Sequence, residues 1–519
     1  MRSFFSTIKY IKHNFLLFNK PINKKNKKII LVEFNQLASS IISYSYLSNV
    51  LKNKYSANIL AYRLTTKRNH FKDIVWILLS KIFFINQFLV YRSFGAIDFL
   101  FPGFIFQKNK KIENVIKKIK NKNDLLNLKV DKIYIGDLVY DSYLMDYKEA
   151  TIDLKSQKFL KYFKHTLSTF FAWKKIFHNY DVKAVITSHS VYNLAIPLRI
   201  AVSKNIEAFQ CSAEHLYRLS KKKLYAYKEF INYKKDFEKI DKIQKKRLFS
   251  LAKKKIQNKL SGKKLTWGST KSPYNDGILR SKIKKNSNLK VLIATHCFFD
   301  NPHPYGKNLF VDFYEWIDFL GKISEKTNYD WYIKLHANYL PGTKKIIEYF
   351  IKKYPAINYL PNDYSHHQII REGVSVVLTC FGTIASEYPM YNRNVINCSL
   401  NNPHIAYNFS ISPRSIKEYK KLLLNLDKLK NNIKKNEIYE FYVMNNILRN
   451  PWLMDDYENL VTSSKGYYFQ FTSKMYKYWL ETTFSVEKHE ILINKLNKFI
   501  KSNDYSIGWN KETFNSYVK

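Results

Sequence analysis

The chain has 519 residues, of which 46% are hydrophobic, 16% aromatic and 25% charged. This length allows two or three domains, each with its own core, and the composition excludes a disordered chain. The formal net charge is +46. Lysine is abundant together with Asn, Ile, Tyr and Phe, a joint excess that an AT-rich coding sequence gives. The charge alone therefore does not indicate nucleic acid binding.

The basic residues are scattered, with denser runs at 23–28, 108–123 and 253–264. A solvated lysine-rich face and a face that contacts an anionic membrane both fit these runs, and both interpretations stay open. No recognisable nucleic-acid-binding motif is present, so we expect no nucleic acid partner.

The apolar segments are poor candidates for membrane spans or export signals. Residues 1–28 form a basic N-terminal segment without the long apolar stretch of a signal peptide. Segment 73–91 is the most apolar, but Lys81, Asn86 and Gln87 interrupt it. The remaining run is too short to span a bilayer, and we expect a buried or interfacial amphipathic helix.

Cysteine usage favours a reducing compartment. The four cysteines are not closely paired, which is typical of free thiols rather than a disulfide framework; they are Cys211, Cys297, Cys380 and Cys398. We expect a cytoplasmic protein, with peripheral attachment to the inner face of the membrane as an open alternative.

The first half of the chain alternates strand and helix patterns. Buried-strand patterns occur at 27–35, at 56–63 and within 182–212, and a long helix is predicted at about 156–179. Residues 91–103 read as a turn, because Gly and Pro punctuate them. This alternation predicts a parallel sheet with crossover helices in an N-terminal domain over 29–219.

The second half repeats this organisation. Residues 220–287 are Lys-rich and less patterned, and we assign them to an inter-domain region. A second α/β domain is predicted over 288–415, with strands at 288–296, 329–336, 357–361, 374–380 and 394–399 and helices between them. Residues 416–519 read as a mostly helical C-terminal region.

Ligands of open α/β sheets bind outside the carboxyl ends of the strands, so the residues that follow each strand are the candidate site residues. In the first domain the candidates are Asp137, Asp141, His189 and Glu214. In the second domain they are His296, Asp300, His303, Lys334, His336, Ser365, His366, Gly382, Thr383 and Glu387. The alternatives are ordinary structural roles: capping for the histidines, a helix N-cap for Ser365 and a surface position for Glu387.

The stretch VVLTCFGTIASEYP (376–389) reads as a strand, a small-residue turn and a helix start. Such a turn can hold an anion on free N–H groups, or can be plain α/β connectivity. Lys334 and His336 end a neighbouring predicted strand, and both side chains donate to phosphate oxygens. Glu387 could accept from ribose hydroxyls. Together these residues predict a nucleotide mono- or diphosphate site.

Other site classes lack their motifs. The histidine spacings match no strong zinc pattern, so we expect no metal. The chain has no P-loop, no GxGxxG and no GxSxG. We expect no cofactor.

Several stretches resemble bacterial surface-polysaccharide glycosyltransferases of the GT-B fold, the capsule and lipopolysaccharide type. They include IATHCFFDNPHPYG, WYIKLHANYLPGT, SHHQIIREGVSVVLTCFGTIASEYP and, in the first half, SHSVYNLAIPLRIAVSKNIEAF. The resemblance covers about 29–220 and 288–430. It implies an α/β, GT-B-like protein: two Rossmann-like domains facing a cleft, followed here by a helical C-terminal extension.

The resemblance also assigns roles. It implies a nucleotide-sugar donor in the C-terminal domain and a lipid-linked or oligosaccharide acceptor in the N-terminal domain. Relatives carry a Lys-x-His-Pro loop for the donor phosphate; Lys334 and His336 match, but Ala337 replaces the proline, and the loop loses a fixed φ. The turn 380–387 matches the phosphate side of the donor pocket. No bound metal is implied.

The acceptor hydroxyl needs a general base, and Asp137, Asp141, His189 and Glu214 all stay candidates. Two rival functions also stay open. A polyol-phosphate transferase could use the same cleft with a CDP-linked donor. A non-catalytic GT-B-like protein could bind glycan at the membrane surface without binding nucleotide.

Overall fold

The computed structural model describes residues 2–18, 27–63, 75, 78–79, 86–102, 110–262, 272–274, 277–336, 339–449, 451–462 and 466–507. Most of the predicted helix at 73–91, all of 263–271 and Ala337 lie outside these residues. The chain forms two compact units. The first comprises Met1–Ser142, Asp153–Ala226 and Asn450–Asn510, and the second comprises Tyr143–Ile152, Tyr227–Arg449 and Lys511–Lys519.

A six-stranded sheet lies in the first unit. Its strands are β1 Lys28–Glu33, β2 Asn58–Tyr62, β3 Ala96–Leu100, β6 Asp181–Thr187, β7 Glu207–Cys211 and β8 Leu216–Leu219, in the order β3-β2-β1-β6-β7-β8. All pairs are parallel except β7 with β8. Strands β4 Lys129–Val130 and β5 Ile133–Tyr134 form a separate small antiparallel ladder. The central strands are apolar on both faces, as expected for a covered parallel sheet.

The second unit contains a five-stranded, fully parallel sheet. Its strands are β9 Lys290–Ala294, β10 Asp330–Lys334, β11 Ile357–Leu360, β12 Val376–Thr379 and β13 Asn394–Asn397, in the order β11-β10-β9-β12-β13. All five strands lie within the segments that the sequence predicts. The strand order reverses between β9 and β12, as in a Rossmann-like sheet, and the predicted α/β class is confirmed.

The helices, in chain order, are α1 Arg2–Phe18, α2 Ala38–Tyr55, α3 Asn86–Ser93, α4 Lys110–Lys118, α5 Lys122–Leu126, α6 Gly136–Tyr147, α7 Gln157–Asn179, α8 Ile196–Ser203, α9 Tyr233–Glu238, α10 Lys242–Leu260, α11 Phe313–Ser324, α12 Thr343–Lys353, α13 His366–Arg371, α14 Ile384–Glu387, α15 Ile416–Leu423, α16 Lys435–Tyr442, α17 Tyr457–Thr462, α18 Lys474–Tyr478 and α19 Val486–Lys501. Short 3-10 helices occur at Asn193–Ala195, Glu229–Asn232, Tyr388–Tyr391, Leu426–Lys428 and Tyr467–Phe471, and π-helical turns at Val443–Ile447 and Trp479–Thr483.

The predicted C-terminal region 416–519 is not one body. Residues up to Arg449 belong to the second unit, whereas Asn450–Asn510 belongs to the first. Apolar side chains of α18 and α19 enter the core beneath the first sheet, where Trp479 and Leu496 are fully buried. Helices α18 and α19 therefore complete the core of the first unit.

The predicted inter-domain region 220–287 also differs from the structure. Helix α10 belongs to the second unit, and its buried residues recur every four positions at Leu248, Ala252, Ile256 and Leu260. This spacing marks one face of a helix. This face was not predicted from the sequence because the surrounding segment is rich in lysine.

All four cysteines are buried free thiols, as predicted. None of the helices within the described ranges combines the length and apolar content that crossing a bilayer requires.

Candidate functional site

The reversal of strand order in the second sheet brings the ends of β9 and β12 together. Ile293 of β9 pairs with Leu378 of β12, and the next residues leave the sheet side by side. His296 then meets Thr379, with 3.1 Å between Nε2 and Oγ1. His296 and Thr379 therefore form part of the carboxyl edge of the sheet, where the sequence predicts the ligand.

His296 organises the turn that follows β12. The backbone N–H groups of Cys380 and Phe381 donate to its Nε2 at 3.3 and 3.4 Å. Burial lowers the pKa of His296 to about 3, so the ring is neutral and Nε2 acts as an acceptor. Its ring also packs against Phe313 and Phe381, with centroids 4.9 and 4.4 Å apart.

These contacts change the interpretation of the 380–383 turn. The N–H of Gly382 donates to Thr379 Oγ1 at 3.3 Å, so three consecutive amides of the turn have protein acceptors. Helix α14 has only four residues, and exposed Thr383 precedes it. The amides of 380–382 therefore have protein acceptors in this structure, and the assignment of the turn 380–387 to the donor phosphate stays a prediction.

Lys334 ends β10 and is buried at the same edge of the sheet. Its Nζ donates to the backbone carbonyl of Asn362 at 2.6 Å. Burial lowers the pKa of Lys334 to about 8, although nearby Asp363 acts in the opposite direction. Within the described residues, no carboxylate forms a salt bridge with this ammonium, and Asn362 Oδ1 is buried without a hydrogen-bond partner.

Two histidines lie within electrostatic range of Lys334. Burial lowers the pKa of His336, and the Lys334 charge lowers it further, while Asp300 and Glu387 oppose this. Burial lowers the pKa of His366 to about 3, again with Lys334 as the next cause. His366 Nδ1 lies 2.8 Å from the Tyr388 hydroxyl. Lys334 and His336 thus lie at the same edge of the second sheet, with His366 nearby, and their role in donor binding stays a prediction.

Glu387 is already paired on both carboxylate oxygens. Oε1 lies 2.7 Å from Lys259 Nζ, and Oε2 accepts from the Tyr274 hydroxyl at 2.8 Å. Burial would raise the pKa of Glu387, but the Lys259 charge and these hydrogen bonds lower it to about 2. The expectation that Glu387 accepts from ribose hydroxyls is not supported, because both oxygens have protein partners.

Two residues around this edge were not predicted from the sequence. Lys259 and Tyr274 come from the region predicted to link domains. His404 is buried, and burial lowers its pKa to about 3 with Glu387 and Lys259 among the nearby charges. Its Nδ1 has no hydrogen-bond partner within the described residues. The one sequence signal for Lys259 was the four-residue spacing of apolar residues on α10, which indicates a helix with one buried face.

The remaining candidates of the second unit have simpler positions. Ser365 caps α13, where its Oγ accepts from the N–H of His367 at 3.2 Å, as the structural alternative predicts. Asp300 is exposed in the turn after β9. His303 is buried, and its carbonyl accepts from Gly306 N–H at 3.2 Å. No three His, Cys, Asp or Glu residues in the described part of the chain are placed to hold a metal together. The expectation of no metal stays a prediction.

In the first unit, Asp137 and Asp141 lie on α6, which follows the short strand β5 and not a strand of the six-stranded sheet, and each has 2% exposure. Asp137 Oδ2 lies 2.7 Å from Arg199 Nη2 and accepts from the Tyr225 hydroxyl at 2.7 Å. A buried ion pair of this kind has no route to an acceptor hydroxyl in solvent. A catalytic-base role for either aspartate is therefore not supported.

His189 is the exposed candidate, directly after β6. Its Nδ1 lies 2.8 Å from Ser188 Oγ, and the Ser188 N–H donates to Glu33 Oε2 at 2.5 Å. Glu33 ends β1, which neighbours β6 where the first sheet reverses its order. Tyr192, three residues on, has φ 58° and ψ −176°, a combination that side-chain-bearing residues rarely adopt and that clusters at functional loops.

Glu214 follows β7 and is also partly accessible. Its Oε1 lies 2.9 Å from His215 Nε2, and its backbone carbonyl accepts from the N–H of Trp452. The first unit thus leaves His189 and Glu214 as the accessible acid–base candidates, and Glu33 is a residue that the sequence analysis did not single out.

No family model and no curated protein matches the chain. Solved structures match at 10% identity. UDP-GlcNAc 2-epimerase from Neisseria meningitidis bound to UDP-GlcNAc has a TM-score of 0.23, covering 80% of this chain and 98% of that chain. A glycosyltransferase from Rickettsia africae has a TM-score of 0.25, covering 88% and 100%. The wall teichoic acid polymerase TagF with CDPG has a TM-score of 0.23, covering 96% and 99%. These TM-scores are too low to carry a conclusion about this chain, which on its own strand order is an α/β protein with two Rossmann-like sheets.

Proposed function

We propose that the protein is a glycosyltransferase that moves a sugar from a nucleotide-activated donor to a lipid-linked or growing surface glycan. The observation that carries the proposal is the buried Lys334 ammonium beside His336 and His366 at the carboxyl edge of the second sheet. Asp363 lies nearby, but no carboxylate of the described residues forms a salt bridge with the Lys334 ammonium. A phosphate there would supply the missing negative charge.

The same residues suit the chemistry of the leaving group. As the glycosidic bond to the donor breaks, the departing nucleotide phosphate gains negative charge. Cationic and N–H donors positioned beforehand stabilise that charge more than the ground state. Lys334 supplies a fixed charge, and His336, which remains accessible, supplies a ring N–H. An anion would raise the pKa values of both groups and hold them protonated.

The acceptor side of the reaction needs a base. The acceptor hydroxyl loses its proton as its oxygen attacks the anomeric carbon, and the bond from that carbon to the donor phosphate breaks. His189 is the candidate on the first unit, since it is exposed and its ring is oriented by Ser188. We propose that the acceptor binds to the first unit and the donor to the second.

A thermal-shift screen against CMP, CDP, UDP, GDP and their sugar conjugates tests donor binding, because a ligand of the native state raises the unfolding midpoint. The matched pair is His336→Ala and His178→Ala, the latter an exposed histidine on α7. A nucleotide shift lost only in His336→Ala supports the donor site. No shift with any nucleotide at millimolar concentration would favour a non-catalytic glycan-binding protein.

The released product separates the two enzymatic functions for donors linked to UDP, GDP or CDP. Transfer of a sugar from UDP- or GDP-sugar releases the nucleoside diphosphate, whereas a polyol-phosphate transferase releases CMP from its CDP-linked donor. Chromatography of the nucleotide products after incubation with acceptor membranes distinguishes them. The donor that gives the largest thermal shift is the one to assay first.

A further inference from the structure

Helix α1 is fixed to the first unit by one face. Tyr10 stacks on Tyr476 of α18 with ring centroids 4.3 Å apart, and Ile11 and Phe18 enter the same core. Asn14 Nδ2 donates to Ser93 Oγ at the end of α3, at 3.1 Å. These contacts hold the helix in one orientation, so its opposite face is a permanent surface of the unit.

That opposite face is apolar and basic. Four large apolar residues are exposed on it: Phe4, Phe5, Phe15 and Leu16, with Leu16 87% and Phe5 57% accessible. Lys9 and Lys12 are exposed among them. At 100° per residue the six side chains fall within one arc of about 140°. We call these six residues the α1 outer face.

The charge of α1 indicates what covers this face. The helix sequence RSFFSTIKYIKHNFLLF contains three basic residues and no acidic residue. An exposed apolar face with lysines among its apolar residues matches the interface of an anionic bilayer, where aromatic side chains enter the headgroup region and lysines contact lipid phosphates. A protein partner of neutral surface would gain nothing from the lysines.

We propose that the α1 outer face is a lipid-contacting surface that docks the first unit on an anionic membrane. The proposal rests on the proposed function in one respect: a lipid-linked acceptor requires the enzyme to work at a bilayer. Its test does not depend on nucleotide binding, so either proposal can fail alone.

The experiment measures co-sedimentation of the full chain with vesicles of phosphatidylcholine containing phosphatidylglycerol, against pure phosphatidylcholine. The double variants are Phe5→Ser with Leu16→Ser, and Lys9→Glu with Lys12→Glu. Each has a matched control on other exposed helices: Ile243→Ser with Val486→Ser, and Lys420→Glu with Lys421→Glu. Thermal midpoints show that each variant folds.

We expect the wild type to bind the anionic vesicles, and each α1 double variant to lose at least about tenfold in vesicle partitioning. The controls should lose less than about threefold, because their side chains lie off the α1 outer face. Binding that survives both α1 variants would overturn the proposal. So would a wild-type dimer by light scattering that becomes monomeric in Phe5→Ser with Leu16→Ser without a change in vesicle binding.

Discussion

The Lys259 ammonium and the Glu387 carboxylate lie 2.7 Å apart, and this ion pair joins α10 to the helical turn that follows β12. Both side chains are largely buried, at 21% and 11% exposure. The carboxylate is also tied to Tyr274. The arrangement connects a segment predicted to link domains directly to the edge of the second sheet.

Removing the lysine should leave a buried, uncompensated carboxylate. We expect Lys259→Met to lower the free energy of unfolding by about 3 kcal/mol, and Lys259→Met with Glu387→Gln to recover most of this loss. The control is Lys344→Met, which breaks an exposed pair with Glu348 and should cost less than about 0.5 kcal/mol. Urea denaturation measures the free energy of unfolding of the wild type and of these three variants. Equal losses in Lys259→Met and the double variant would contradict a specific pair.

The same carboxylate should give an acid-dependent loss of stability. Its pKa is about 2 in the folded chain, against an ordinary value of 4.5, so the unfolded state binds the proton more readily. The stabilisation is complete above about pH 4.5 and is lost as the pH falls towards 2. We expect the difference in stability between wild type and Glu387→Gln to shrink over this window. A difference independent of pH would show that the carboxylate is not charged in the folded state.

Gly382 should tolerate no side chain. A Cβ built there would lie 2.8 Å from Thr379 Oγ1 and 3.7 Å from His296 Cε1. Gly382→Ala should therefore displace the turn and lower the thermal midpoint by several degrees, since about 1–3 kcal/mol is typical of such overpacking. Gly382→Ala with Thr379→Ala removes the collision and should recover part of the loss. No recovery would mean that the collision with Thr379 is not the cause.

The base assignment predicts a loss of turnover without a loss of donor binding. We expect His189→Ala to reduce kcat by about 100-fold or more and to keep the nucleotide-dependent thermal shift. Exposed His178 on α7 supplies the control, since His178→Ala should change neither quantity. Asp137→Asn should instead lower the midpoint, because Asp137 pairs with buried Arg199. Wild-type turnover in His189→Ala would shift the role to Glu214.

The second sheet was predictable because each of its strands lies in a short, mostly apolar run between predicted helices. Lys334 and His336 lie at this edge because parallel strands deliver the residues at and after their carboxyl ends to one side of the sheet. Local pattern also explains the N-cap at Ser365. Strand β3 was missed because Asp98 interrupts its apolar run and glycine flanks it.

Partnerships between distant segments were not predictable from local pattern. Nothing in the sequence around Trp479 indicates that its core lies beneath the first sheet. Likewise, the local sequence around Glu387 does not show that Lys259 and Tyr274 contact its two carboxylate oxygens. The local sequence of the turn after β12 also does not show that two of its amides donate to His296. In each case the deciding group is more than 80 residues away in the chain or belongs to a segment without a clear pattern.

The most direct test of the proposed donor site compares two buried lysines of the second sheet. Lys334 ends β10 at the carboxyl edge, whereas Lys290 begins β9 at the amino edge and donates to the carbonyl of Asn286 at 2.8 Å. Isothermal titration of the nucleotide selected by the screen into wild type, Lys334→Met and Lys290→Met measures the effect. We predict that Lys334→Met weakens binding by at least about 30-fold, as loss of a charged hydrogen bond implies, and that Lys290→Met binds like wild type. Equal affinity in wild type and Lys334→Met would contradict a donor phosphate at this edge.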